Sequence, residues 1–157
     1  MQHPSPRLYP LRVAQSCQLR TNLLSCRLAP VRTVFWGFAV TILSLSLDLE
    51  LSKLRRAILT AAGHEVTSIS SEEAAVRAAE SSTAYDVVLL CHHFPAAASR
   101  RVIRLARQNH PSTRFVHIVH LYGEWPEIEA DRYVVGADGP ETLLRVVQEV
   151  LQPEVQN

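Results

Sequence analysis

The chain lacks the short signatures that announce common chemistries. It has no glycine-rich phosphate loop, no Gly-X-Ser-X-Gly elbow and no defensible Ser/His/Asp order, so nucleotide-binding and hydrolase readings find no support. Cysteine is sparse: Cys17, Cys26 and Cys91 are an odd number at no metal-ligand spacing. They read as free thiols of a reducing compartment, neither a disulfide framework nor a zinc motif. Residues 1–40 contain no acid at all, yet hold Arg7, Arg12, Arg20, Arg27 and Arg32. The apolar run at 34–47 falls short of the roughly 20 residues that a transmembrane helix needs, and no clear small-residue cleavage site marks a signal peptide.

What is present reads as one globular domain with a leader. A chain of 157 residues can bury a proper core. Residues 41–157 carry 11 basic and 15 acidic side chains, a net charge of −4 against +5 for residues 1–40. That asymmetry sets a boundary near residue 40. Three readings of residues 1–40 stay open: a disordered or artefactual leader, with the true start at a valine codon such as Val34 or Val40; a short helix packed on the domain; or a membrane or export segment.

From residue 41 the pattern alternates. Thr41–Leu47 is apolar and β-prone, and Asp48 caps a helix over Leu49–Ala62 with Leu51, Leu54, Ile58 and Ala61 at helical spacing. Gly63 ends that helix. A strand is predicted over His64–Ser70, and a capping box at Ser70–Glu73 starts a helix to about Ser82. Tyr85–Cys91, Arg114–Leu121 and Asp131–Val135 read as strands and Ala96–Asn109 as a helix. The last helix opens at Gly139-Pro140-Glu141 and stops before Pro153, leaving 153–157 as a tail. Almost wholly apolar strands alternating with helices imply a parallel sheet covered on both faces. The expected fold is α/β: a doubly wound, five-stranded parallel sheet in the order 2-1-3-4-5.

Several segments carry a resemblance at these distances. They are Ile42-Leu43-Ser44-Leu45 before a capped helix, Ala61-Ala62-Gly63-His64-Glu65-Val66, Tyr85-Asp86-Val87-Val88-Leu89-Leu90 followed by Pro95, and Ala130-Asp131-Arg132-Tyr133-Val134-Val135. Together they resemble the receiver domain of bacterial response regulators over about residues 41–152, a fold of the flavodoxin-like, CheY-like type. The resemblance implies an acidic pair at Ser46 and Leu47 with Asp48 just beyond, an acceptor aspartate at Cys91, a hydroxyl at His120 and a lysine at Gly136. None of those groups is present, and Ala137 stands where a proline would follow the lysine. Gly136 comes only 16 positions after His120, so the fourth helix of the family is expected to be shortened or absent. Tyr133 matches the family's switch aromatic, expected here as a fixed and partly buried side chain. Trp125 and Tyr133 mark a candidate interaction surface.

The chemical expectation follows from charge. Mg²⁺ wants octahedral oxygen ligands, and one aspartate beside a thiol and imidazoles is a poor substitute. Phosphoryl transfer depends on positioned charge, and neither the cation nor the lysine has its place. The reading is therefore a stand-alone pseudo-receiver, a protein–protein interaction module in two-component or phosphorelay signalling. It is not phosphorylated itself, not an enzyme, cytoplasmic and without a cofactor. Its partner is a histidine kinase or another regulator, or a second copy in a homodimer, with no nucleic acid and no membrane. The arginines of the third helix, Arg100, Arg101, Arg104 and Arg107, read as a solvated face because no aromatics interleave them. The alternative is a metal- or redox-responsive sensor centred on Cys91, His92, His93 and His120. Against it, no His-X-His or Cys-X-X-Cys spacing exists, and His117 and His120 point to opposite faces of a strand.

Overall fold

A computed structural model describes residues 39–120 and 128–152. Its elements run β1 (Thr41–Leu45), α1 (Leu49–Ala61), β2 (Glu65–Ile69), α2 (Glu72–Glu80), β3 (Val87–Cys91), α3 (Ala96–Asn109), β4 (Arg114–Val119), β5 (Arg132–Val135), a 3₁₀ turn (Gly136–Asp138) and α4 (Pro140–Leu151). The five strands are all parallel, in the order β2-β1-β3-β4-β5. This is the flavodoxin-like, doubly wound fold expected from the alternation. The predicted leader at 1–40 falls almost wholly outside the described residues, as does the tail at 153–157.

Burial on both faces explains the near-continuous apolar strands. Alternate side chains point to opposite sides. Leu43, Leu45, Val88, Leu90 and Phe115 pack on the side of α2 and α3. Ile42, Val87, Leu89, Val116, Ile118 and Val134 pack on the side of α4 and Leu59 of α1. Every residue of β3 is buried.

The strand starts are tied by carboxylates. Asp86, just before β3, accepts hydrogen bonds from the Thr41 amide (2.7 Å) and hydroxyl (2.8 Å) through Oδ2. Asp131, just before β5, accepts from the Phe115 amide at 2.7 Å. Asp86 satisfies the first amide of β1 and Asp131 the second amide of β4, and each so helps to fix the register of a neighbouring strand.

Helix boundaries follow local chemistry with two corrections. Asp48 caps α1 as expected, its Oδ1 accepting from the amides of Glu50 and Leu51 at 3.0 Å each. Gly63 follows with φ +94°, a backbone open to glycine and strained for other residues. The first correction concerns the buried face of α1. It buries Ser52, Arg55 and Leu59, whereas Leu54 is 57% exposed. The apolar stripe Leu51, Leu54, Ile58, Ala61 lies one residue, or about 100°, away from the face that meets the sheet. The second concerns α2. Its cap is Ser71, accepting from Ala74 N at 3.2 Å, so the N3 position is alanine and no reciprocal capping box forms.

Only residues 120–131 join β4 to β5, which leaves no room for a helix as long as α1 or α3. This agrees with the expected shortening; residues 121–127 lie outside the described residues. No helix among the described residues is long and apolar enough to cross a membrane.

Asp86→Ala removes both bonds to Thr41 and is expected to lower stability by about 1–3 kcal/mol. Urea unfolding followed by far-ultraviolet circular dichroism measures it; an unchanged midpoint would show that the clip contributes nothing.

Candidate functional site at the carboxyl ends of the strands

In an open parallel sheet, the loops after the strands meet where the winding reverses, and ligands bind there. Here that mouth is built from the ends of β1, β3, β4 and β5. Ser46, directly after β1, is fully buried. Its hydroxyl donates to the Asp48 carbonyl at 3.1 Å and its amide to Ile69 O at 3.1 Å. Leu47 is 43% exposed. Asp48 uses Oδ1 to hold the start of α1. Cys91 ends β3 and is buried. Gly136 opens the turn after β5; a Cβ there would meet Val119 O at 3.5 Å and Ile118 Cγ2 at 3.7 Å, ordinary contacts. Space does not demand glycine at that position.

The turns bring side chains of the alternative reading within ligand distance of one another. The Phe94 amide donates to Cys91 O at 2.8 Å, closing a tight turn over residues 91–94. Side chains that would alternate in a strand therefore converge. One ligand atom from each of Cys91, His92 and His93 lies within 4.8 Å of the others. The Cys91 Sγ to His92 Nδ1 distance is 3.7 Å. The His92 ring lies 3.8 Å from that of His93 and 5.0 Å from that of His120, between centroids. His120 joins this group because β3 and β4 run in register, with Cys91 opposite Ile118. His117 does not: it is buried in β4, edge-on to Tyr133 at 6.2 Å.

The electrostatics of the mouth are poor in negative charge. Burial first, then the neighbouring His93, His120 and Arg55, lower the pKa of His92, with Asp48 opposing them. His92 is thus neutral at neutral pH, and it supplies no imidazolium of the kind a sensor thiol needs beside it. Arg55 is buried on α1, and its Nη1 has no hydrogen-bond partner. It also lines a cavity of about 140 Å³ with Leu51, Leu54, Val134, Gly136 and Leu143.

The remaining sequence-derived positions separate. Tyr133 is fixed: its hydroxyl donates to Ile128 O (2.9 Å) and accepts from the Ala130 amide (3.1 Å). It is 40% exposed. β5 is an edge strand, so one face of its ring is open. Trp125 lies outside the described residues. Arg100, Arg104 and Arg107 share a face of α3 along an open cleft of about 520 Å³. Arg107 lies 3.9 Å from Asp131 and over the Phe115 ring at 5.5 Å.

With this geometry in hand, the comparisons are specific about fold. No protein-family model and no curated protein matches the chain. Solved structures do. The chain is similar to the receiver domain of a sensor histidine kinase from Pseudomonas aeruginosa, with TM-score 0.63, 18% identity, and 73% of this chain and 98% of that one covered. It is similar to a response regulator receiver protein from Sinorhizobium medicae, with TM-score 0.62, 28% identity, and coverage of 72% and 94%. It is also similar to the chemotaxis protein CheY4 of Vibrio cholerae, with TM-score 0.62, 20% identity, and coverage of 73% and 100%. The class defined by the fold is the CheY-like receiver architecture.

Two outcomes follow. His64 and His117 are both buried, with both ring nitrogens unpartnered, and burial lowers the pKa of each below 6.5. The unfolded chain therefore binds more protons between the folded values and 6.5. Stability is full above pH 6.5 and falls as pH drops through the folded values. Thermal unfolding between pH 8 and 5 should show this decline, and His117→Leu should flatten it. Arg55→Met removes a buried guanidinium with an unmet donor. It should leave stability unchanged or raise it by up to about 2 kcal/mol in urea titration; a clear loss would reveal a compensated charge.

Proposed function

We propose that this chain is a receiver-type protein-interaction module of bacterial two-component signalling that is not switched by aspartyl phosphorylation. The observation that carries the reading is the mouth itself. The positions that would seat a magnesium ion and a phosphoryl group are taken by a buried thiol at Cys91, Ser46, Leu47, His120 and Gly136. The one nearby carboxylate, Asp48, is engaged as a helix cap. By contrast, the similar receiver domain from Pseudomonas aeruginosa is described with a magnesium ion coordinated in its active-site cleft. A hard divalent cation needs several oxygen ligands, and phosphoryl transfer needs compensating charge. Neither requirement is met by this set of side chains.

An interaction role draws support from the surface. Leu47, Leu49, Leu54 and Tyr133 are large apolar or aromatic side chains left exposed. Leu47 and Leu49 lie at the β1–α1 junction next to the mouth, and Leu54 lies on α1 beside the cavity it lines with Val134 and Leu143. The partner of this reading is a histidine kinase, another regulator or a second copy of the chain, in the cytoplasm.

The direct test incubates the purified full chain with acetyl phosphate and Mg²⁺ and reads intact mass, with an active receiver as the positive control. The expected result is no acid-stable or acid-labile adduct on this chain while the control gains one phosphoryl group. A stoichiometric adduct on the chain would overturn the reading.

A further inference from the structure

We propose that the mouth binds a borderline divalent transition metal, zinc(II) being the reference case, through Cys91 Sγ, one nitrogen each of His92 and His93, and His120 as the closing ligand. The inference is independent of the signalling role and rests on geometry. One thiol and three imidazoles are a donor set suited to zinc, cobalt or nickel and ill-suited to magnesium or calcium. A tetrahedral zinc with Zn–S near 2.3 Å and Zn–N near 2.0 Å sets its sulfur and nitrogen about 3.5 Å apart. Cys91 Sγ and His92 Nδ1 stand 3.7 Å apart. The His93 atom completes a group within 4.8 Å, so contraction by about 1 Å through side-chain rotation reaches the bonded geometry. His120 faces His92 at 5.0 Å between centroids.

The surroundings fit a bound ion. Cys91 is buried at the floor, His92 is half-buried, and His93 and His120 are exposed at the rim. That gradient gives a shielded thiolate with an open entry path. His92 Nε2 is buried with no hydrogen-bond partner. The backbone is held by the tight turn at Cys91–Phe94 and the first turn of α3, so little ordering remains for the metal to impose. Binding deprotonates the thiol: the proton leaves to solvent as the sulfur–metal bond forms.

The test titrates cobalt(II) and then zinc(II) into the full-length, reduced protein. One equivalent of cobalt should produce tetrahedral ligand-field bands and a near-ultraviolet thiolate-to-cobalt charge-transfer band, both erased by one equivalent of zinc. Cys17→Ser/Cys26→Ser should keep the charge-transfer band, and Cys91→Ser should abolish it. His93→Ala and His120→Ala, both at exposed positions, should each weaken zinc binding about tenfold or more in competition with a chromophoric chelator. These two variants decide the matter even where Cys91→Ser fails to fold. No charge-transfer band on the parent protein, a band that survives Cys91→Ser, or unchanged affinity in both histidine variants would overturn the site.

Discussion

Double-sided burial of the central strands is the constraint on which everything else here rests. Val87 to Leu90 have no face toward water, so each backbone amide and carbonyl must find a partner in a neighbouring strand. Parallel neighbours meet that demand only through crossovers, and crossovers must be helices with one apolar face. The chain has no freedom to place its loops elsewhere. Every segment that leaves a strand at its carboxyl end emerges on the same rim. Cys91, His92, His93 and His120 share a site because β3 and β4 lie side by side in register, though 26 residues separate the end of one group from His120.

That logic explains why the fold was legible and part of the site was not. The alternation of apolar strands with capped helices carried the sheet order, because parallel sheets have few right-handed solutions. Cys91, His120 and Gly136 could be placed at strand ends from their spacing after apolar runs. That Cys91, His92, His93 and His120 gather at this rim was legible in the same way, but the close convergence of Cys91 with His92 and His93 was not. It depends on a turn at Cys91–Phe94 that has neither glycine nor a Pro-Gly pair to announce it. Metal-ligand spacing rules assume a single helix or knuckle, and consecutive residues pass unnoticed. The nearby Pro95 was the available signal, since it forces the chain out of the strand and into the start of α3.

The buried face of α1 failed for a different reason. Periodicity locates an apolar stripe but not what it meets. Leu51, Leu54 and Ile58 form a regular stripe, yet the helix turns Ser52, Arg55 and Leu59 inward. The cap at Asp48 fixes where the helix starts, and Leu59 must reach Ile42 and Val147 in the core beneath. Two ends thus set the rotation, and the stripe is left along the groove toward α4. Tyr133, expected fixed and partly buried, is 40% exposed. Its hydroxyl is fixed, but a four-residue edge strand has nothing beyond it among the described residues to cover the ring.

The donor chemistry of the mouth separates two kinds of ligand. Carboxylates crowded at a rim repel one another and need a cation to be tolerated. A thiol, a hydroxyl and neutral imidazoles carry no such requirement, so the sheet can close around them without an ion. The same substitution changes what the rim can attract. Oxygen donors select a hard ion with many ligands, whereas sulfur and nitrogen select a softer one with few. The Arg55 guanidinium on α1 disfavours protonation of His92, and Asp48 opposes it as the smallest contribution. Under the proposed reading, a rim so composed serves binding, by a protein or by a metal, rather than group transfer.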